Sequence, residues 1–399
     1  MKQIIKEILP KINVSDEENN KIKKVISEIN KKLKDNLSKY NANFFVGGSV
    51  GKGTNLPGTH DIDIFIRFKE NGDLSENLEK VLEVFDDVVR LKGSRDYFKI
   101  EYEGYEIEFI PVLYCKTISS AKNITDHSPF HVNWSKRKSK MNDDVKLAKL
   151  FFNANGLYGA ESWIGGFSGH AIEILTKHYG SFEKLIKNIS KWDDEVIIDT
   201  EKLYKSELDI KYELNKSKLN KLILIDPIDK ERNAAAALSP EKYDIAKKVC
   251  IDFLNKPTKK YFEIKKINIE TLKKRSKKNK LFFYELEPEG DKQDVAGSKM
   301  LTRLKKIIRV VKDNEFEILD SGLYWNKKDK GLIWIIVPDK DLEKKKILTG
   351  PPTYGNTHDI MNFKSKHRKV WREGYNYYTE VKRNYTKITT LMKKIDELI

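Results

Sequence analysis

One short stretch constrains this chain more than any other: Val46-Gly47-Gly48-Ser49-Val50-Gly51-Lys52-Gly53-Thr54, followed by Asp61-Ile62-Asp63-Ile64-Phe65. Side chains alternate along a strand, so the second segment puts both carboxylates on one face. The apolar flanks Ile62, Ile64 and Phe65 argue against an edge strand with merely solvated acids. A flexible glycine- and serine-rich turn presents backbone N–H groups to phosphate. Together the two segments point to metal-assisted phosphoryl or nucleotidyl transfer, chemistry in which carboxylates hold the cations and the turn receives the phosphates.

The surroundings of this stretch read as a small mixed α/β domain over residues 1–125. Ser15-Asp16-Glu17-Glu18 has the form of a capping box, and Ile22, Val25, Ile26, Ile29 and Leu33 follow at helical spacing. Next come a strand at 44–47, the turn, the aspartate strand, a helical segment at 77–85 and two strands reversing at Glu103-Gly104. Residues 126–257 read as a mostly helical domain. There the stripe Val145, Ala148, Phe151 and Phe152 stops at Asn155-Gly156, and Ser239-Pro240-Glu241 starts a helix that continues through Ile245, Val249 and Phe253 to Pro257. Residues 258–399 return to α/β character. Strands are expected at 281–286, 316–319 and 332–337, around a helix with Leu301, Leu304, Ile308 and Val311 on its apolar face, with a last helix over 386–399. The implied fold class is α+β and multi-domain.

Charge points to the partner. With 76 Lys+Arg against 60 Asp+Glu, the formal net charge is +16, which favours a polyanion, nucleic acid first. The densest run, Lys273-Lys274-Arg275-Ser276-Lys277-Lys278-Asn279-Lys280, precedes Arg303, Lys305, Lys306 and Arg309. Basic and aromatic residues interleave again in Trp371-Arg372-Glu373-Gly374-Tyr375-Asn376-Tyr377-Tyr378. The two cysteines, Cys115 and Cys250, lie far apart and imply neither a disulfide framework nor a zinc cluster, as in a reducing compartment. Residues 1–30 lack a signal-peptide core, and no run approaches the ~18 apolar residues of a membrane span. A cytoplasmic protein with no membrane partner is the expectation.

Two-metal nucleotidyl transfer needs at least one further carboxylate beside Asp61 and Asp63. Tyr105-Glu106-Ile107-Glu108-Phe109-Ile110-Pro111 supplies it, with Glu106 and Glu108 on one face and Ile107 and Phe109 on the other. Spacing alone does not choose between the two glutamates.

The Gly-Ser pair, the twelve-residue step and the Asp-x-Asp together resemble the catalytic signature of the DNA polymerase β nucleotidyltransferase superfamily. Further motifs in order resemble one branch, the archaeal class of CCA-adding enzymes, which are tRNA nucleotidyltransferases. They are Thr125-Asp126-His127-Ser128-Pro129-Phe130-His131, Tyr158-Gly159-Ala160-Glu161, Gly166-Phe167-Ser168-Gly169, Asp226-Pro227-Ile228-Asp229-Lys230-Glu231-Arg232-Asn233-Ala234-Ala235 and Gly350-Pro351-Pro352. The resemblance implies a polymerase β-like nucleotidyltransferase head, a helical neck and C-terminal α/β tRNA-binding body and tail domains. It also implies that Asp61, Asp63 and Glu108 hold two Mg2+ ions, Glu108 because it matches the family's acid succeeded by two apolar residues and a proline. Gly48, Ser49 and Lys52 would meet the phosphates of CTP or ATP, His131, Lys149 and Tyr158 would complete the triphosphate and sugar site, and Arg232 would read the base. tRNA, through its acceptor stem and 3′ end, is the implied partner, and a homodimer fits the resemblance. Three departures stand out: Glu108 where the family has Asp, Lys52 where Arg is frequent, and His127 where Arg is expected. Two other readings share these residues: a poly(A) or oligoadenylate-type polymerase of the same superfamily, and a catalytically degenerate RNA-binding protein. The intact acids argue against the second.

Overall fold

The computed structural model describes residues 1–93, 95–290 and 292–396. They divide into two compact units after Lys265. The first unit opens with α1 (Lys2–Ile12) and α2 (Asp16–Lys39), then β1 (Ala42–Val46), α3 (Gly48–Lys52), β2 (Asp61–Phe68), α4 (Leu74–Val81), β3 (Val89–Leu91), β4 (Tyr97–Tyr102) and β5 (Tyr105–Leu113). The five strands form one sheet in the order β1-β2-β5-β4-β3. Only β2 and β5 run parallel; their neighbours pair antiparallel.

Alternation explains this sheet. Ile62, Ile64 and Ile66 of β2 and Ile107 and Phe109 of β5 are buried beneath Ile22, Val25, Ile29 and Leu33 of α2 and Leu74 and Leu78 of α4. The opposite face is left to Asp61, Asp63, Glu106 and Glu108, because each strand residue next to an inward one points the other way. Start signals work partly as expected. Ser15 Oγ accepts from the Glu18 N–H at 3.1 Å, but the Glu18 carboxylate accepts from Gly58 N–H at 2.9 Å instead of closing a capping box. Asp73 accepts from the N–H groups of Ser75 and Glu76, which starts α4 three residues before the expected 77.

The chain continues through α5 (Ser128–Arg137), α6 (Asn142–Ala154), α7 (Gly169–Tyr179), α8 (Phe182–Ile189), β6 (Val196–Asp199), α9 (Glu207–Glu213), β7 (Leu222–Asp226), β8 (Asp229–Asn233) and α10 (Pro240–Asn255). Phe151, Phe152, Leu175, Phe182, Leu185 and Phe253 form the centre of a second core. Ile8 and Ile12 belong to this core too, so α1 packs with the helical segment although it comes first in sequence. Cys250 is buried here, and burial pushes its thiol pKa up.

The small sheet β6-β7-β8 interrupts the helical expectation. Its centre, Leu222-Ile223-Leu224-Ile225, is buried on both faces: Leu222 and Leu224 face the helical core, while Ile223 and Ile225 pack with Ile210 of α9 and with Leu214 just after it. A short apolar run without alternation cannot be told from buried helix by periodicity.

The second unit holds α11 (Ile269–Ser276), β9 (Lys280–Leu286), α12 (Gln293–Asp313), β10 (Asp320–Tyr324), β11 (Gly331–Val337), β12 (Lys345–Pro352), α13 (Thr357–Lys366), β13 (Val370–Glu373), β14 (Asn376–Lys382) and α14 (Ile388–Asp396). It has two three-stranded sheets, β10-β11-β9 and β12-β14-β13. Strand β11 is covered twice. Ile333, Ile335 and Val337 meet α12 and α14, and Leu332, Trp334 and Ile336 meet Leu272 of α11. The strand expected at 316–319 begins instead at Asp320, because Phe316 is drawn into the core just after α12. Residues 397–399 of the expected last helix lie outside the described residues. Among the described residues no helix is long and apolar enough to cross a membrane.

Candidate active site

The acid face of the five-stranded sheet is set by the parallel register, in which Asp61 stands beside Glu106 and Asp63 beside Glu108. Lys99 of β4 lies opposite Glu108, with Nζ 2.5 Å from Glu106 Oε1 and 2.7 Å from Glu108 Oε1. Burial works against the Lys99 charge, yet its bonds to the two glutamates outweigh it and hold the ammonium pKa above its ordinary value. Asp63 goes the other way for a carboxylate. Burial first, then the neighbouring charges of Glu108 and Asp61, push it up to about 6.

Immediately above Asp63 sits the glycine turn. It forms the short helix α3, whose first residue, Gly48, has φ of 52°. A Cβ there would lie 1.6 Å from Asp63 Oδ2, so glycine is required both by the left-handed backbone and by the carboxylate beneath it. The Gly47 N–H donates to the Asp63 carbonyl at 2.8 Å, which locks turn to strand. The expected flexible turn is therefore an ordered one.

The far side of α3 is tied to the helical core. Lys52 Nζ donates to Glu173 Oε2 at 2.7 Å, and Asn142 Nδ2 donates to the Lys52 carbonyl at 2.9 Å. Glu173 is buried and also pairs with Ser135 Oγ and with Lys177 Nζ at 3.1 Å. Burial alone would raise its pKa; His170, Lys52 and Lys177 together hold it far below the carboxylate range. Lys149, buried on α6, donates to the Thr54 carbonyl at 3.1 Å and Thr54 Oγ1 at 3.0 Å. Burial lowers its pKa to about 8, despite the opposing pull of Glu173. Tyr158 joins Lys149 at the start of α7: a Cβ added to Gly169 would lie 2.9 Å from the Tyr158 hydroxyl and 3.7 Å from Lys149 Cε.

A second buried carboxylate, Asp226 at the end of β7, gathers the remaining candidates. His131 Nε2 lies 3.0 and 2.9 Å from its two oxygens, His170 Nε2 lies 3.2 Å from Oδ2, and Arg232 Nη1 lies 3.3 Å from Oδ2. The Ile228 N–H donates to Oδ1 at 3.1 Å. Burial opposes the Asp226 charge, but the two histidines hold its pKa far below the ordinary range. An ionised carboxylate only accepts, so His131 presents Nε2–H to it. Burial, followed by His170, lowers the His131 pKa to about 3, leaving a neutral ring with Nδ1 as an acceptor. The departing His127 faces Asp229, Nδ1 to Oδ2 3.5 Å.

Cation fit differs between the two carboxylate groups. Among the described residues, His131, His170 and Asp226 are the trio of His, Cys, Asp or Glu whose ligand atoms all lie within 4.8 Å of one another. The Arg232 guanidinium on Oδ2 and the Ile228 amide on Oδ1 already occupy that carboxylate, and a positive group at 3.3 Å opposes a dication. Asp61, Asp63 and Glu108 are less tightly gathered, because Lys99 draws Glu108 toward Glu106 and the acids repel one another. Their donor set of hard oxygens, the glycine cradle over Asp63 and the raised Asp63 pKa nonetheless fit divalent cations, which would relieve the repulsion.

Sequence reasoning named Asp61, Asp63, Glu108, Gly48, Ser49, Lys52, His131, Lys149, Tyr158 and Arg232. The structure places the first six around α3 and the acid face, and the last four on α5, α6, the segment after α6 and β8. It adds Lys99, Thr54, His170, Glu173, Lys177 and Asp226. A signal for two of these existed: Glu173 and Lys177 sit four residues apart on a helix whose other residues include Ala171, Ile172, Ile174 and Leu175, all buried.

Three family models match the chain in order. The family model "Nucleotidyltransferase domain" matches residues 26–131, "tRNA nucleotidyltransferase, second domain" matches 143–263, and "CCA-adding enzyme, C-terminal domain" matches 293–399. The CCA-adding enzyme of Nanoarchaeum equitans is 35% identical over 349 residues, covering 86% of this chain and 84% of its own. That of Pyrococcus abyssi is 29% identical, covering 94% and 85%. Among solved structures, the RNA terminal uridylyl transferase Cid1 shares the fold at a TM-score of 0.55 and 11% identity, over 66% of this chain and 98% of that one. With an acid-bearing nucleotidyltransferase sheet, a second domain and a C-terminal domain matched in order, and a relative this similar along most of both chains, the chain belongs to the CCA-adding enzymes, a family of tRNA nucleotidyltransferases.

Proposed function

We propose that the acid face beneath α3 is where this tRNA nucleotidyltransferase adds C, C and A to the 3′ end of tRNA from CTP and ATP, without a nucleic-acid template. The observation that carries the assignment is Asp63: register-paired with Glu108, roofed by Gly48 and held at a pKa of about 6 by burial and its acidic neighbours. Asp61, Asp63 and Glu108 would hold a pair of Mg2+ ions. When bound, such ions lower the pKa of the attacking 3′-hydroxyl and offset charge on the triphosphate.

The chain's own residues do the rest. Ser49 and Lys52 on α3, with Lys149 and Tyr158 facing them, receive the triphosphate. Neutral His131 accepts a sugar hydroxyl at Nδ1, a role its lowered pKa suits better than phosphate binding. Arg232, anchored at one end by Asp226, offers its remaining N–H groups to the base. The basic second unit would hold the acceptor stem through phosphates and A-form shape, since duplex RNA offers little base-specific readout. A homodimer belongs to the same reading, and sedimentation of the full chain tests it.

The direct experiment supplies tRNA lacking its terminal nucleotides with labelled CTP and ATP. The Asp61→Ala, Asp63→Ala double variant loses incorporation while retaining tRNA binding; incorporation that survives refutes the site. Extension by A alone, or long untemplated tails, would instead support the polymerase reading.

A further inference from the structure

The least explained feature of the site is Asp226, a fully buried carboxylate that touches two of the residues assigned to the nucleotide without being one of them. We infer that Asp226 is a positioning residue for nucleotide recognition, holding His131 and Arg232 in one arrangement, with His170 as its brace. The inference rests on the nucleotide site proposed above.

Geometry carries it. Asp226 ends β7 and Arg232 lies on β8, across a turn in which the pairing shifts between Ile225 and Asp226. The Ile228 amide fixes Oδ1, so the carboxylate plane is set by the turn itself. His131 arrives from α5 and donates to both oxygens, while Arg232 Nη1 reaches Oδ2. The Arg232 side chain is 36% exposed and Asp226 is not exposed at all, so only one end of the guanidinium is anchored and the rest faces outward. His170 stands between the two buried carboxylates, Nε2 3.2 Å from Asp226 Oδ2 and Nδ1 3.9 Å from Glu173 Oε2. Glu173 in turn holds Lys52. His170 thus hydrogen-bonds the carboxylate beside the side chain assigned to base and lies near, but outside hydrogen-bond range of, the carboxylate that holds the side chain assigned to phosphate. A guanidinium with a fixed anchor presents a fixed donor pattern, whereas a free arginine must be ordered by each nucleotide that arrives.

Asp226→Asn keeps the volume but turns an NH2 toward groups that donate. CTP and ATP binding by calorimetry, and KM in the addition assay, should weaken about ten- to a hundredfold, the range for a charge-assisted hydrogen bond, with a smaller change in kcat. In the Arg232→Ala background the same substitution should cost severalfold less than in the wild type, because one of its two routes is gone and only the His131 route remains. His170→Gln, a gentler change, should raise both KM values severalfold, and it carries the test if melting shows that Asp226→Asn does not fold. Unchanged CTP and ATP affinity in a folded Asp226→Asn or His170→Gln variant overturns the inference. So does a full multiplicative loss in the double variant, the mark of a merely structural role. The site reading fails separately, through incorporation that persists in the Asp61→Ala, Asp63→Ala protein.

Discussion

Replacing Asp63 by Asn should stabilise the metal-free protein while abolishing nucleotide addition. The carboxyl pKa rises from 3.8 to about 6 in the fold, through burial and then the charges of Glu108 and Asp61. A rise of that size corresponds to about 3 kcal/mol by which ionised Asp63 opposes folding. The side chain is mostly enclosed, so solvent screens little of this, but Asn must also be desolvated, and we take about half as recoverable. For a unit of this length that is a gain in Tm on the order of 5 °C. The sign gives a second handle. Between about pH 4 and pH 6 the folded protein binds more protons than the unfolded chain, so wild-type stability falls as pH rises through this window and the penalty is complete above it. Melting curves in a chelator should therefore show the Asn variant ahead at about pH 8 and the two proteins converging toward about pH 4. Saturating Mg2+ should close the gap at high pH by stabilising the wild type alone. A variant no more stable than wild type at high pH, or one whose advantage persists unchanged in acid, refutes the claim that the acids repel one another across this face.

Three further outcomes rest on named contacts. Gly48→Ala places a Cβ 1.6 Å from Asp63 Oδ2 at a φ of 52°, and should cost about 1–3 kcal/mol of stability along with nearly all turnover; full turnover would mean the cradle is dispensable. Burial lowers Lys149 to about 8, so as pH rises from there toward 10.5 the folded protein sheds a proton that the unfolded chain keeps. Stability contributed at this site should rise across that window while KM for CTP and ATP also rises, and Lys149→Met should remove the pH dependence of KM. Asp126 accepts from the N–H groups of Leu113, Lys122 and Asn123 and pairs with Arg95, so Asp126→Ala should cost about 3–5 kcal/mol in chemical unfolding yet leave nucleotide KM unchanged well below Tm. A changed KM would place it in the site.

The two elements proposed to carry the chemistry were unequally legible. Strand β2 was visible because Ile62 and Ile64 alternate with Asp61 and Asp63, and period two admits one face assignment. Its pairing was not, since a parallel register depends on the whole intervening chain: nothing local says that Asp63 stands beside Glu108 and not Glu106. Lys99 escaped for the same reason, being significant only through its place opposite Glu108. The sheet carrying Asp226 and Arg232 was hidden by four successive apolar residues, which lose the alternating signal when both faces are buried. His131 and Asp226 are 95 residues apart, and His170 and Asp226 are 56 apart, so no window of sequence contains their cluster. Phe316 misled more simply, as an apolar residue packing after a helix looks like the start of a strand.

Charge explains why the same fold needs both carboxylate groups. Burial first, and then the nearby charge of Lys52, disfavours the charged forms of Lys149 and Lys177. Such a cluster would deprotonate or splay apart in a protein interior without an anion among its members. Glu173 supplies one, held ionised despite burial by His170, Lys52 and Lys177, and Asp226 does the same for Arg232, held ionised despite burial by its hydrogen bonds to His131 and His170. Across α3 the problem is reversed, with Asp61, Asp63 and Glu108 pressing on one another and Lys99 answering only part of the excess. A nucleotide triphosphate arriving with divalent cations carries the missing sign for each side at once. At the proposed site the loaded nucleotide would relieve the strain on the two sides better than free nucleotide or free metal, so metal and nucleotide are expected to bind cooperatively. Calorimetry should find CTP affinity rising with Mg2+ concentration in the wild type by more than in Asp63→Asn, and equal dependence in both proteins would show that the acids and the lysines act independently.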